Sequence, residues 1–363
     1  MKIKIIRGAF LNPFELQNYY SIKSFHNIEV ISSKFPISSN INFPIKKLYS
    51  PADIPNFPFK YPLLNRIFID AHLLYGLEGA IAGCDIAHVA ETYYGYTYQA
   101  TKAKKRGWVK KIVSTVWETI SNNNQSLPGR AKIKKFCKEN IDHFIAVTQK
   151  AQKALIEEGI AKEKITVIPF GVDIKKFTPS KSKKKKRNIN ILCVARLVPE
   201  KGVLDLLNAF LELKKTNKNL TLTFVGNGPL KSHLVGYKGV FVKKVSYNKM
   251  SAEYHKADIF CLPSQSTKTW EEQFGMCLVE ALASGLPIVS TLTGAIPEVC
   301  GEAALLVKPN SPQKLTMALE KLIYNKDIRQ KMSISARKRA VEFFDSEKIA
   351  IKIQEVYEKI LCR

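Results

Sequence analysis

The chain has 363 residues, 45% hydrophobic and 24% charged, with 57 Lys and Arg against 31 Asp and Glu. That length exceeds one ordinary core and predicts two domains of roughly 100–200 residues, with the composition of a soluble globular protein. The formal net charge of +26 favours contact with polyanions (nucleic acid, an anionic membrane face or phosphorylated substrates) and says nothing about fold.

The seven cysteines are odd in number and none sits at C-x-x-C spacing, so reduced, buried thiols fit better than a zinc site or a disulfide framework. The start, MKIKIIRGAF, lacks the apolar core of a signal peptide, and none is expected. The most apolar helical candidate, 64–82, carries Asp70, His72 and Glu78; it reads as a half-buried helix or a membrane-surface helix, not a span. The expected location is the cytoplasm.

In chain order, short β-type runs alternate with helical patterns. KIKII (2–6), DIAHVA (85–90), KIVSTV (111–116) and HFIAVT (143–148) read as buried strands, with helices near 65–82, 97–106, 131–140 and 149–158. KSKKKKRN (181–188) breaks the pattern and reads as a solvated linker or as a docking site for an anionic surface. The alternation then restarts. Strands are expected at 190–195, 221–226, 239–245, 258–263, 288–291 and 303–307, and helices at 202–215, 229–235, 249–256, 275–284, 327–343 and 346–361. Two α/β domains with parallel sheets follow, 1–175 and 188–345.

Three stretches of the second half carry chemistry. In VARLVPEKG (194–202) a strand end presents Arg196 and Lys201 at a helix start, where two cations form a diphosphate clamp; two surface cations are the plainer reading. FVGNGP (224–229) leads a strand into Gly226 and Gly228. It matches neither a dinucleotide fingerprint nor a P-loop, and serves either a tight turn or close approach of backbone to a nucleotide. EEQFGMCLVEALASGLPIV (271–289) sets Glu272 before a helix that begins near Phe274-Gly275, puts Glu280 within it, and ends at Gly285 and Pro287. Two carboxylates on either side of a phosphate-binding helix start suit two sets of sugar hydroxyls.

The order VARLVPEKG, FVGNGP, ADIFCLPS, E-x7-E around Phe-Gly, EALASGLPIVST and TGAIPE resembles the retaining glycosyltransferases of family 4 type (glycosyl transferases group 1). The likeness covers 140–310 strongly, FIAVTQKAQKAL and VIPFGVDIKKFTP included, and 1–140 loosely. It implies the GT-B fold, two Rossmann-like domains facing across a cleft, with the C-terminal helix, about 346–363, packing back on the first. It implies a nucleotide diphosphate sugar as donor, its diphosphate on Arg196 and Lys201, its hexosyl group on Glu272 and its ribose on Glu280. Phe274, Gly275 and Met276 would offer backbone N–H groups, and Val245 and Ser264 would lie by the base. No two aspartates fall two apart, so no metal and no other cofactor is expected. Transfer with retention to the hydroxyl of a glycan or lipid-linked acceptor follows.

The first half departs from the family pattern. One glycine, Gly8, stands where many relatives have a pair, and STVWET puts Trp117 and Glu118 where many have a histidine. Glu118 either takes over the histidine's orienting role or caps a turn. His88 sits on a strand end, either packed or catalytic. Tyr93, Tyr94, Tyr96 and Tyr98 line an acceptor groove or pack in the core. The basic runs 102–106, 110–111 and 130–138 suggest peripheral attachment to anionic lipid, or plain solvated helix faces. Two other readings remain: another GT-B enzyme such as a nucleotide-sugar 2-epimerase, or a basic polyanion binder without catalysis. No specific nucleic-acid partner is expected, since no recognition element appears.

Overall fold

The computed structural model describes residues 1–180 and 188–362. The basic run 181–187, read above as linker or docking site, lies outside them. The chain divides into two compact units: Met1–Phe170 with Glu347–Arg363, and Gly171–Ser346. The division falls before 175 because Val172 bridges to Asp345 and its N–H donates to the Phe344 carbonyl.

The first unit is a seven-stranded, all-parallel sheet. Its strands are β1 (Lys2–Gly8), β2 (Asn27–Ser33), β3 (Ile45–Leu48), β4 (Cys84–Ala90), β5 (Val109–Val116), β6 (His143–Ala146) and β7 (Ile165–Val167). The spatial order is β3-β2-β1-β4-β5-β6-β7. Alternate residues of β1 serve the two faces: Ile3 and Ile5 join one core, Ile6 the other. The helix Ser346–Leu361 covers the first of these. Ile349, Ile353, Val356, Tyr357 and Ile360 recur at helical spacing and pack with Ile3, Ile5, Ile86, Val113 and Ile145.

The second unit has six parallel strands: β8 (Ile189–Val194), β9 (Leu220–Val225), β10 (Val240–Lys243), β11 (Ile259–Leu262), β12 (Ile288–Thr291) and β13 (Ala304–Val307). Their order, β10-β9-β8-β11-β12-β13, is that of the doubly wound dinucleotide-binding sheet.

Most expected elements lie within a residue or two of their observed bounds. The single helix expected at 65–82 is instead two, Lys60–Phe68 and Leu77–Ile81, because Ile69 (φ +64°) and Gly76 (φ +78°) leave helical space. The turn at 229–235 is a 3₁₀ helix, Pro229–Leu234. Strands β2, β3 and β7 and the helix Pro312–Tyr324 were not expected. Of the seven cysteines, all but Cys277 and Cys362 are buried, and all are free thiols. Among the described residues no helix is long and apolar enough to cross a membrane.

Candidate active site

In the second unit the strand order reverses between β8 and β11. Open parallel sheets bind ligands outside the C-terminal strand ends at such a point. The segments leaving those ends are the ones that carry Arg196 and Lys201, and Ser264 and Glu272.

The two segments are backed closely together. A Cβ on Gly202 would stand 2.0 Å from the Pro263 carbonyl oxygen, so the turn Pro199–Lys201 lies directly on the end of β11. Lys201 Nζ is thereby brought 2.6 Å from Glu272 Oε2, both side chains being nearly buried. Ser264 Oγ, fully buried, donates to the same oxygen at 2.7 Å. The Lys201 ammonium also lies 4.6 Å from the centre of the Trp270 ring, a cation–π contact. Arg196 stays largely exposed and bonds Glu200 at 3.1 Å. The two expected clamp cations thus share one loop and differ in environment: Lys201 is neutralised inside, Arg196 stands at the surface.

Glu272 is held from behind as well. Its carbonyl accepts from Ala295 N–H at 2.8 Å, and Gly294 approaches so closely that a Cβ there would meet that carbonyl oxygen at 2.1 Å. The TGAIPE stretch is therefore a backbone support for Glu272.

Glu280 lies on the helix Met276–Ala283, which Gly275 opens at φ +80°. It is buried, and Tyr254 Oη donates to Oε2 at 2.6 Å. Burial pushes its carboxyl up to about 7, against the opposing pull of the Tyr254 hydrogen bond and the Lys176 charge. Met276 is half-buried at the helix start. The Phe274 side chain is buried, edge-on to Phe344 at 6.0 Å, so only its backbone belongs to the helix start. Val245 borders a cavity of about 550 Å³ together with Lys244, Ser246, Lys249 and Glu253.

Of the two readings of Gly226 and Gly228, the geometry supports the tight turn. The space for a Cβ is taken by the Ala195 oxygen at 1.8 Å and the Leu197 oxygen at 2.4 Å. Leu197 N–H donates to Asn227 O at 2.9 Å and Leu230 N–H to Leu197 O at 3.0 Å. These glycines let the turn after β9 lie against the Arg196 loop and fix it.

In the first unit the order reverses between β1 and β4. Gly8 closes β1 at φ +54°, with the Tyr96 ring 3.4 Å from where its Cβ would be. His88 lies inside β4 rather than beyond it and is fully buried. Its Nδ1 is 2.5 Å from Tyr357 Oη, and its Nε2 is 2.7 Å from Thr115 Oγ1. Of the two readings of His88, these contacts match the packed, satisfied core histidine rather than the acceptor-side one. For Glu118 the contacts likewise match one of its two readings. Its Oε1 accepts from Thr119 and Ile120 N–H, both at 3.0 Å, and its Oε2 from the Asn123 and Asn124 amides, both at 2.9 Å. Four donors occupy the carboxylate, which is the capping role. Tyr93 and Tyr96 are buried and Tyr94 packs on both, at 4.8 and 5.2 Å between ring centres.

Residues 174–339 match the family described as Glycosyl transferases group 1, and residues 23–176 match Glycosyltransferase Family 4. The chain belongs to this group 1, family 4 type. It is 32% identical over 248 residues to the MMP alpha-(1->4)-mannosyltransferase of Mycolicibacterium hassiacum, a match covering 65% of the chain and 58% of that enzyme. The chain thus spans less than two thirds of that relative. Sucrose-phosphate synthase of Thermosynechococcus elongatus has the same fold, with a TM-score of 0.76 at 17% identity over 100% of this chain and 99% of the other. So does Anabaena HepE, solved in complex with UDP-glucose, with a TM-score of 0.76 at 18% identity over 99% of this chain and 100% of the other. The fold is GT-B.

Sequence reasoning missed Trp270, Tyr254 and Glu91. Trp270 had a signal, two residues ahead of Glu272 in a polar loop. Tyr254 had none, because only packing brings the helix Met250–Lys256 to Glu280.

Proposed function

We propose that the protein transfers a hexosyl group from a nucleoside diphosphate sugar to an acceptor hydroxyl, with retention and without a metal. The observation that carries this is the Lys201–Glu272 pair at the strand-order reversal of the second unit, flanked by Arg196 and followed by Glu280. Arg196 and Lys201 take the diphosphate and stabilise the charge that develops on it as the glycosidic bond breaks. Once phosphate draws Lys201, Glu272 is left to accept hydroxyls of the donor sugar. Glu280, oriented by Tyr254, accepts the ribose hydroxyls. The leaving phosphate then takes the acceptor proton on the face it vacates.

The test is thermal stability against UDP, GDP, ADP and their sugars in chelator, followed by product analysis with the donor that binds. A shift with one nucleotide, lost in Arg196→Ala and Glu280→Ala, and a product of unchanged anomeric configuration are expected. No shift with any of them, beside a broad shift with polyanions, would leave only the polyanion-binding reading.

The acceptor in this reading is lipid-borne. Ten of the 23 large hydrophobic side chains exposed among the described residues fall within residues 35–75. Phe35, Ile37, Tyr49, Phe59 and Ile67 are each more than 60% exposed. Hydrogen bonds hold these segments together: the Asp53 carboxylate accepts from Lys34 and Phe35 N–H, and Tyr75 N–H donates to Tyr49 O. Lys46, Lys47 and Arg66 are exposed among them. An apolar patch with basic neighbours suits an anionic bilayer, each nearby cation adding about 1 kcal/mol. The basic runs singled out earlier contribute less than their count, since Lys104, Lys110, Arg130, Lys134 and Lys138 pair with carboxylates. Sedimentation with phosphatidylglycerol vesicles tests this. Phe59→Glu with Ile67→Glu should abolish pelleting, and equal pelleting on neutral vesicles would overturn the electrostatic part.

A further inference from the structure

Glu91 follows the last residue of β4, at the strand-order reversal of the first unit, and is fully buried. Its Oε1 accepts from the backbone N–H groups of Trp117 at 2.9 Å and Glu118 at 3.1 Å, the first two residues beyond β5. Its Oε2 is buried with no hydrogen-bond partner among the described residues. Its backbone stands at φ +56°, which side chains other than glycine rarely adopt. That backbone is pinned: Glu91 N–H donates to Thr115 O and Ser114 Oγ to Glu91 O, both at 2.9 Å. An unsatisfied buried carboxyl oxygen and a left-handed backbone are two separate costs at one residue. Costs of this kind collect where function retains them.

We propose that Glu91 is a positioning residue for the acceptor side of the reaction, acting through the Trp117–Glu118 turn. The proposal rests on the glycosyl-transfer reading and adds a control of it. The crevice of a doubly wound sheet opens at the ends of β1 and β4. Trp117 stands at the end of β5, next to β4, half-buried, its ring 6.0 Å from Phe170. Glu91 fixes where this turn begins, and the Glu118 carboxylate fixes the residues that follow.

The charged and titratable groups facing Glu91 are Glu118 from the turn, Lys134 from the helix Arg130–Asn140, and Tyr93 and Tyr94 beyond β4. Burial first, and the like charge of Glu118 second, push the Glu91 carboxyl up to about 8. At neutral pH the group therefore carries a proton, on Oε2, because Oε1 already accepts two N–H donors. An acid raised in the folded state is favourable while protonated and unfavourable once ionised. The turn is accordingly ordered below about 8 and loosened above it, when a second negative charge arises beside Glu118.

Trp117 reports the state of the turn, since the chain has three tryptophans and Trp108→Phe with Trp270→Phe leaves it alone. In that background its emission should change with a midpoint near 8, and Glu91→Gln should abolish the change. Glu118→Gln, which removes the like charge, should move the midpoint to lower pH. In the protein with all three tryptophans, the acceptor KM should rise several-fold above the midpoint and stay flat in Glu91→Gln, while nucleoside diphosphate affinity is the same in both. Parallel pH profiles in the two proteins, or a midpoint untouched by Glu118→Gln, would overturn the proposal. If no donor supports transfer at all, the glycosyl-transfer reading fails, and the Trp117 titration still decides whether Glu91 controls the turn.

Discussion

Lys201 Nζ and Glu272 Oε2 are 2.6 Å apart, so the cation assigned to the donor diphosphate and the carboxylate assigned to its sugar hold each other before any donor arrives. The pair keeps two functional charges in place inside the unit without leaving either uncompensated. In the proposed reaction, phosphate must then compete with Glu272 for Lys201, and winning this competition frees Glu272 for hydroxyl groups.

Removing one partner of a nearly buried pair leaves the other charge unpaired, which costs on the order of 3 kcal/mol. Lys201→Ala should therefore lower stability strongly, leaving the Glu272 carboxylate with the Ser264 hydroxyl. Lys201→Met with Glu272→Gln removes both charges and should recover most of that loss while remaining inactive. Urea melts of the three proteins beside a nucleoside diphosphate release assay separate stability from function. A double variant as unstable as the single one would show that the pair is not the source of the loss.

If Glu280 holds the ribose as proposed, it links nucleotide binding to pH. In the proposed reaction, ribose hydroxyl donors require its ionised form, and burial pushes its carboxyl up to about 7. Affinity for the preferred nucleoside diphosphate should fall by up to tenfold per pH unit below about 7, the limit for one required proton loss. Calorimetry across pH 5.5 to 8 in Glu280→Gln supplies the baseline, because titration of the nucleotide's own phosphate is common to both proteins. Equal slopes would remove Glu280 from the ribose site. Stability moves the other way: an acid raised from its ordinary value favours the folded state at low pH, and that contribution is lost as pH rises toward about 7.

Two glycines set the geometry of the pair. Gly294→Ala would drive a Cβ to 2.1 Å from the Glu272 carbonyl oxygen, and Gly202→Ala to 2.0 Å from that of Pro263. Neither neighbour is a flexible side-chain end, so each change should cost more than about 2 kcal/mol and abolish transfer. Gly236 also has positive φ, +92°, but open space around it. Gly236→Ala should cost only about 1 kcal/mol, the backbone penalty alone, and leave activity intact. Thermal melts of the three substitutions check the ordering.

Much of the second unit was legible in the sequence because parallel strands buried on both faces read as unbroken apolar runs, and Gly, Pro and acidic residues punctuate the helix Met276–Ala283. The strands missed are edge strands or their neighbours. IKKL of β3 carries two exposed lysines and shows neither alternation nor a run. The Lys60–Phe68 and Leu77–Ile81 pair was fused into one helix because periodicity does not register a single left-handed residue at Ile69. At the site, the family resemblance singled out Arg196, Lys201, Glu272 and Glu280, and the structure brings Lys201 and Glu272 of this set into contact. Residue identity did not announce that Gly226 and Gly228 face protein backbone, since a glycine reads the same whether a ligand or a carbonyl fills its missing Cβ. His88 and Glu118 kept two readings each for a related reason: a polar residue at a strand end looks functional until its partners are known, and one partner of His88, Tyr357, is 269 residues away.

That long-range contact gives the last prediction. Burial, and then the nearby Arg7 charge, hold the His88 ring well below its ordinary range, so it stays neutral in the fold. The unfolded chain takes up a proton near 6.5, the ordinary histidine value, and the folded one does not. Stability from His88 is therefore full above about 6.5 and is lost as pH falls below it. The raised acids Glu91 and Glu280 act with the opposite sign over 4.5 to 8, so the wild-type pH profile is a sum in which each contribution hides another. Variants separate them. His88→Gln should remove the acid-side loss at some cost in packing. Tyr357→Phe keeps the histidine, removes the shorter of the two tyrosine contacts to Nδ1 (2.5 Å, against 3.3 Å for Tyr19) and should lower stability by about 1 kcal/mol at neutral pH. Thermal melts from pH 5 to 8 decide the matter: a His88→Gln profile parallel to the wild type would mean that the histidine takes up a proton inside the fold.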